Sequence, residues 1–140
     1  MLKYLHNRGM ILSLLLEAFD LIKEKALSWT YCSMSQDIID RDNIQQATYS
    51  AMYYAIKNLN IEPQHLLVDG NVFENKTDIP YTCVVKGDNK YLSIAAASIV
   101  AKVIRDEYMV KIDKFYPKYN WKNNKGYGSK EHIEKILSEG

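Results

Sequence analysis

The chain has 140 residues, and its hydrophobic content of 47% is ordinary for a globular protein that buries a core. This length predicts a single domain over residues 1–140. Lys and Arg number 18 against 17 Asp and Glu, so the net charge of +1 provides no overall attraction to nucleic acid. Any basic surface must therefore be local.

Cysteine usage, hydropathy and glycine patterns narrow the class of protein further. Cys32 and Cys83 have no CxxC spacing or histidine companion, which argues against a zinc site or a disulfide framework and indicates a reduced, cytoplasmic chain. The apolar run over residues 10–16 is shorter than the roughly 20 residues of a membrane span, and we expect neither a signal peptide nor an anchor. No GxSxG, Walker or dinucleotide-binding pattern occurs.

The first half of the chain is predicted to be largely helical. Apolar residues at three- and four-residue steps predict a helix over residues 10–26, and aromatic and β-forming residues predict a short strand over residues 28–34. Ser35 and Asp37 then supply helix-start chemistry. A second helix is predicted over residues 43–59, with a buried face formed by Ile44, Ala47, Ala51, Ala55 and Leu59.

The second half predicts two strands followed by a long helix. Residues 65–68 and 81–85 are short apolar segments that end at Asp69-Gly70 and at Lys86-Gly87-Asp88. A helix is predicted over residues 93–116, ended by Pro117, then a loop over residues 118–129 and a last helix over residues 129–137. The predicted buried face of the long helix consists of Ala97, Val100, Ala101, Ile104 and Tyr108.

Asp69 and Asp88 are the first candidates for chemistry. Each lies at the end of a predicted strand beside a glycine, so both carboxylates could face one crevice. Carboxylates gathered at neighbouring strand ends suit a hard cation such as Mg²⁺, which prefers oxygen ligands. An Asp beside Gly is also a common turn residue, so the pattern leaves both interpretations open.

Two further groups of residues could contact nucleic acid. Ser98, Lys102 and Arg105 share a narrow arc of the long helix, although such cations can equally be solvated or paired with Asp106 and Glu107. Residues 125–130 place Tyr127 between lysines, including Lys130, on a glycine-containing loop. That combination suits stacking beside phosphates, but it is also common in loops before a helix.

Residues 91–106, YLSIAAASIVAKVIRD, closely resemble the most recognisable segment of ribonuclease HII. Other segments resemble the same family in the same order, namely residues 43–52 (NIQQATYSAM), 67–70 (LVDG), 86–88 (KGD) and 126–132 (GYGSKEH). The resemblance covers residues 21–132.

This resemblance implies an α/β protein with an incomplete ribonuclease H-like fold, in which helices flank a short mixed sheet. It implies an endonuclease that uses Mg²⁺ or Mn²⁺ to cut the RNA strand of RNA·DNA hybrids, including the 5′ side of ribonucleotides in duplex DNA. Asp69 matches a metal ligand and Asp88 the last member of a set of four acidic residues. Tyr127 matches the tyrosine that stacks on the sugar at the RNA-to-DNA junction, and Lys102 matches a lysine without an assigned role.

The departures from the family concern its first strands. The family begins with a strand bearing adjacent Asp and Glu, a Gly-Arg-Gly loop, two more strands and a Ser-Lys-Lys segment, none of which residues 1–16 resemble. The chain also stops before the basic tail that the family usually adds. We therefore expect missing first strands, an incomplete metal cage, impaired cleavage and association through an exposed sheet edge. Alternatives are a non-catalytic hybrid-binding module and an inactive gene remnant.

Overall fold

A computed structural model describes residues 2–140, with side chains described from Ile11 onward. Its elements in chain order are α1 (Leu2–Lys25), α2 (Gln36–Lys57), β1 (Leu66–Asp69), β2 (Tyr81–Val84), α3 (Leu92–Phe115), α4 (Trp121–Asn124) and α5 (Lys130–Glu139). Single 3₁₀ turns lie at Gly87–Asn89 and Pro117–Tyr119. None of the described helices combines the length and the apolar character needed to cross a membrane.

The chain divides into two compact units, the first ending at Ile99 and the second comprising Val100–Gly140. The single domain expected from the chain length remains a prediction. Helices and parallel strands follow one another in the first unit, which confirms the predicted α/β class.

The first unit contains a two-stranded parallel sheet. Leu66 pairs with Tyr81 and Asp69 with Val84, so the carboxyl ends of β1 and β2 lie at the same edge. The N–H of Gly70 extends the ladder by donating to the Val84 carbonyl at 3.0 Å. Both strands were predicted to within one residue at each end. A short mixed sheet was expected, and the sheet in the described residues consists of these two parallel strands.

An aromatic cluster packs α2 against this sheet. Tyr49, Leu66 and Phe73 are buried, and Phe73 makes edge contacts with Tyr49 at 5.8 Å and Tyr81 at 5.5 Å between ring centroids. Partly buried residues surround them, namely Met52, Ile56, Val68, Ile79 and Cys83. Burial of large apolar side chains is the main favourable term in such a unit, so this cluster holds β1 and β2 in place.

Helix α2 is kinked at Asn43, whose backbone lies at φ 67° and ψ 164°. The Asn43 side-chain oxygen accepts from the N–H groups of Gln45 at 2.9 Å and Gln46 at 3.1 Å. Asn43 thus begins a new helical segment at the position where the sequence predicted one. Ser35 precedes the first helical residue, as predicted, but its side chain makes no capping bond.

The predicted buried face of α2 is partly wrong. Ala47 is buried, but Ile44 is 64% exposed and Tyr49 is buried instead. Tyr49, Met52 and Ile56 all contact the cluster around Leu66 and Phe73. These side chains bury more apolar area than the alanine stripe would, which is why the helix turns this face inward.

The strand predicted over residues 28–34 is also wrong, because this segment is irregular. A strand requires a hydrogen-bonded neighbour, and no described segment pairs with this one. Side chains hold the segment instead. Trp29 meets Phe19 edge-on at 5.7 Å, and the N–H of Asn60 donates to the Ser28 hydroxyl at 3.1 Å.

Helix α3 confirms the long helix predicted before Pro117, but its buried face differs from the predicted one. Val100 is buried as expected, whereas Ala97 and Ala101 are exposed and Tyr108 is 57% exposed. Val103, absent from the predicted face, is 3% exposed. Apolar residues surround most of this helix, so periodicity alone could not separate small alanines from the larger valines that fill the core.

In the second unit, the predicted loop over residues 118–129 contains the short helix α4. The buried carboxylate of Asp113 accepts from the N–H of Lys122 at 3.2 Å, which anchors the start of α4. The predicted last helix is confirmed as α5, and the Ser129 hydroxyl caps it by accepting from the N–H of His132 at 3.3 Å.

The Asn43 cap predicts a specific loss of stability. Asn43→Ala removes the acceptor for two helix N–H groups, so the free energy of unfolding is expected to fall by about 1 kcal/mol in urea denaturation. Asn43→Asp retains an acceptor and is expected to stay within about 0.5 kcal/mol of the parent chain. Equal losses in both variants would show that the cap does not stabilise α2.

Candidate functional site

The two candidate carboxylates lie at the shared edge of the parallel strands. Asp69 is the last residue of β1, and its Oδ1 accepts from the N–H of Gly87 at 2.8 Å. Asp88 is the next residue after Gly87, in the turn that follows β2. The residue that binds Asp69 is therefore the one that directly precedes Asp88 in the chain. Both side chains are exposed.

The turn between β2 and α3 fixes the position of Asp88. Lys86 adopts a left-handed conformation at φ 54°, which reverses the chain into the 3₁₀ turn. The Oδ1 atom of Asp88 then accepts from the N–H of Asn89 at 3.0 Å. Each carboxylate therefore has one oxygen bound to a backbone N–H, while within the described part of the chain its second oxygen has no hydrogen-bond partner.

A side chain at residue 87 would have to displace the side chain of Ile94. A Cβ atom on Gly87 would lie 2.5 Å from Cδ1 of Ile94 and 3.4 Å from Oδ1 of Asp69. Gly87 is buried, and Ile94 is only 6% exposed. This glycine was predicted to lie beside a candidate ligand, and the structure adds that its N–H is the donor to Asp69. The sequence signal for this role was the glycine of the Lys-Gly-Asp segment, directly after a predicted strand.

The carboxylate pair fits part of the coordination shell of a divalent cation. Hard cations take carboxylate oxygens together with water, and Asp69 and Asp88 each offer an oxygen toward solvent. No group of three or more His, Cys, Asp or Glu side chains suited to a metal occurs among the described residues. The pair alone is therefore an incomplete protein ligand set for a two-metal site.

The two cations on the arc of α3, Lys102 and Arg105, make different contacts. Lys102 forms an ion pair with Asp106 at 2.9 Å, one turn along the same helix, as the alternative interpretation had allowed. The Lys102 side chain is still 47% exposed. Ser98 is exposed as well, and it belongs to the first unit.

Arg105 contacts the loop that carries Tyr127. Its Nη1 donates to the Tyr127 hydroxyl at 2.8 Å, and its Nη2 donates to the Lys125 carbonyl at 2.8 Å. The centre of the guanidinium lies 4.4 Å from the centroid of the Tyr127 ring, which is a cation–π contact. The structure therefore brings together two of the predicted nucleic-acid-binding residues.

Tyr127 and Lys130 are both available to solvent. Tyr127 is 59% exposed despite its contact with Arg105. The Lys130 side chain is 92% exposed and lies 3.9 Å from a carboxylate oxygen of Glu134 on the next turn of α5. Contacts between exposed, solvated charges at this distance contribute little to stability, so Lys130 is free to exchange partners.

The first unit is an α/β unit with exposed carboxylates at adjoining strand ends, and the second unit carries an exposed tyrosine and exposed lysines. The model of the ribonuclease HII family matches residues 5–140. The chain belongs to the ribonuclease HII family.

Relatives named ribonuclease HII support this assignment. The Bacteroides thetaiotaomicron and Phocaeicola vulgatus proteins are each 49% identical over 121 residues, which cover 86% of this chain and 60% of each relative. The Parabacteroides distasonis protein is 50% identical over 119 residues, covering 85% of this chain and 60% of the relative. The chain thus spans about 60% of the length of these relatives.

The close approach of Gly87 to Ile94 predicts that a substitution at Ile94 relieves the effect of a substitution at Gly87. Gly87→Ala places a methyl group against Cδ1 of Ile94, and such overpacking is expected to lower the free energy of unfolding by about 1 to 3 kcal/mol. Ile94→Val removes the clashing Cδ1 atom. The alanine substitution is therefore expected to cost less when it is introduced into the Ile94→Val chain.

Urea denaturation of the four chains measures this coupling as a double-mutant cycle. Independent, additive effects of the two substitutions would contradict the packing of Ile94 against Gly87.

Proposed function

We propose that this chain acts as a phosphodiester hydrolase on the RNA strand of RNA·DNA hybrids, cutting on the 5′ side of ribonucleotides in duplex DNA. Membership of the ribonuclease HII family supports the reaction class. The single structural observation that carries the proposal is that Asp69 accepts from the N–H of Gly87, the residue directly before Asp88, at the carboxyl ends of the two strands.

Asp69 and Asp88 are the residues that would hold Mg²⁺ or Mn²⁺. Backbone N–H groups fix one oxygen of each carboxylate, which leaves the other to face a cation. A bound divalent cation supplies an acidified water and stabilises negative charge on the phosphate and the leaving oxygen. The chain's own contribution is to hold the two carboxylates in fixed orientations, so that little reorganisation is needed when a phosphate arrives.

We also propose that a polypeptide of these 140 residues cleaves weakly on its own. Two carboxylates supply too few oxygen ligands for a pair of cations, and no third ligand group accompanies them in the described residues. The strands β1 and β2 each have one hydrogen-bonded neighbour in the described sheet. Their open edges suit association with a further strand, from this chain or another.

The proposed nucleic-acid contacts lie in the second unit. Tyr127 would stack on a sugar, because its ring is more than half exposed. Lys102 and Lys130 would contact phosphates, since their side chains are 47% and 92% exposed. Arg105 would support this surface from beneath Tyr127. A cytoplasmic location fits a nucleic-acid substrate and is part of the proposal.

A non-catalytic hybrid-binding module is the second candidate. The observation that favours it is the same absence of a third carboxylate or histidine near Asp69 and Asp88 among the described residues. Phosphate contacts do not depend on a metal, whereas hydrolysis does, so the two candidates differ in what survives chelation.

Metal binding by the carboxylate pair can be measured directly. Mn²⁺ titration followed by electron paramagnetic resonance is expected to show binding that Asp69→Asn and Asp88→Asn each weaken at least about tenfold, because an amide lacks the negative charge. Asp78→Asn, which changes an exposed carboxylate elsewhere in the same unit, is the matched control and is expected to leave binding unchanged. Unaltered affinity in all three variants would remove the carboxylate pair from the proposal.

Cleavage of a duplex containing one ribonucleotide, measured with the same variants, separates the two candidate functions. Slow Mn²⁺-dependent cleavage that Asp69→Asn abolishes supports the hydrolase. Tight binding that persists in chelator, with no cleavage, supports the binding module.

The role of Lys130 predicts a change in salt dependence. Lys130→Gln is expected to weaken binding equally for duplexes with and without a ribonucleotide, and to reduce the slope of log affinity against log salt by about 1. Lys114→Gln on α3 changes another exposed lysine and serves as the control. Fluorescence anisotropy at several salt concentrations gives both slopes, and equal slopes for Lys130→Gln and the parent chain would exclude a phosphate contact.

A further inference from the structure

The contacts of Arg105 are unusual for a phosphate-binding residue. Its guanidinium already donates to the Tyr127 hydroxyl and the Lys125 carbonyl, and one face of it lies against the Tyr127 ring. Arginine binds a phosphate best when its planar fork is free to make two parallel hydrogen bonds. In this chain both terminal nitrogens of that fork are engaged within the protein.

Contacts of Asn124 hold the backbone of the 125–129 loop in addition to the bond from Arg105 to the Lys125 carbonyl. The Asn124 side chain accepts from the N–H of Gly126 at 2.9 Å, and the Asn124 carbonyl accepts from the N–H of Tyr127 at 2.9 Å. Gly126 provides the positive φ of 76° that the turn requires. These contacts hold the main chain of the loop, and the direction of the Tyr127 side chain is fixed by further contacts of its own.

Arg105 fixes that direction at two points. The bond to the hydroxyl holds the far end of the ring, and the cation–π contact covers one face. The Tyr127 oxygen accepts from Arg105, so its own proton remains available for donation to a ligand. With one face covered and the side chain still 59% exposed, the ring offers its other face to solvent.

We propose that Arg105 is a positioning residue, which orients Tyr127 so that the uncovered ring face stacks on the sugar of a ribonucleotide in duplex DNA. This inference rests on the proposed function, because it assigns Tyr127 to the substrate. Arg105 acts through Tyr127, because both terminal nitrogens of its guanidinium already donate within the protein. Its contribution is therefore to recognition of the ribonucleotide and not to general affinity for phosphates.

Arg105→Lys tests this role, because it keeps the positive charge and loses the planar fork. Binding is measured by anisotropy in chelator, for a duplex with one embedded ribonucleotide and for the all-DNA duplex of the same sequence. The parent chain is expected to prefer the ribonucleotide, and Tyr127→Ala to lower that preference by about tenfold through loss of stacking. Arg105→Lys is expected to lower it to within about twofold of Tyr127→Ala.

Two features of the result distinguish positioning from a direct phosphate contact. Adding Arg105→Lys to Tyr127→Ala is expected to cause no further loss of preference, and the salt slope of Arg105→Gln is expected to match that of the parent chain. The matched control is Lys111→Gln, which changes an exposed lysine further along α3 and is expected to keep the preference. Thermal melting of each variant confirms folding, and Arg105→Gln is the second variant if Arg105→Lys melts early.

The remaining outcomes decide against the proposal in different ways. If Arg105→Lys keeps the preference, and Arg105→Gln weakens both duplexes equally with a slope reduced by about 1, Arg105 is a phosphate contact and the inference is overturned alone. If the parent chain shows no preference for the ribonucleotide, the proposed substrate is wrong and the inference is overturned together with it.

Discussion

The hydrogen bond from the N–H of Gly87 to the Asp69 carboxylate links the carboxyl ends of the two parallel strands, at the edge of the sheet where chemistry is proposed. It ties the last residue of β1 to the turn after β2, so that Asp88 follows at a fixed position in the same turn. The aromatic cluster of Tyr49, Leu66 and Phe73 holds the strands in register beneath it. Without that register, the donor and the carboxylate would not meet.

Much of this arrangement could be predicted from sequence because it is local. Short apolar runs that end in Asp-Gly or Lys-Gly-Asp indicate strands followed by turns, and the structure has both strands within a residue of the predicted bounds. The last helix was similarly marked by Ser129 at its cap. The family resemblance then placed Asp69 and Asp88 in one set, which strand position alone left open between ligands and turn residues.

The predictions that failed depend on which neighbour a segment packs against. Residues 28–34 have β-forming side chains but no described neighbour to complete a ladder, so composition gave the wrong answer. Ile44 and Tyr49 both fit a helical stripe, and only the position of Phe73 decides which one is buried. The hydrogen bonds of Arg105 to Tyr127 and Lys125 could not be predicted either, because they join residues separated by 22 and 20 positions and depend on the geometry of the loop.

Main-chain N–H groups orient the two carboxylates, and this determines which neighbouring residues can be substituted without disturbing them. The N–H groups of Gly87 and Asn89 bind Asp69 and Asp88 whatever side chain Asn89 carries, so substitutions there need not disturb either acid. The steric demand falls instead on residue 87, where even a methyl group meets Ile94. Selection for an intact acidic pair would therefore bear on a residue with no side chain of its own.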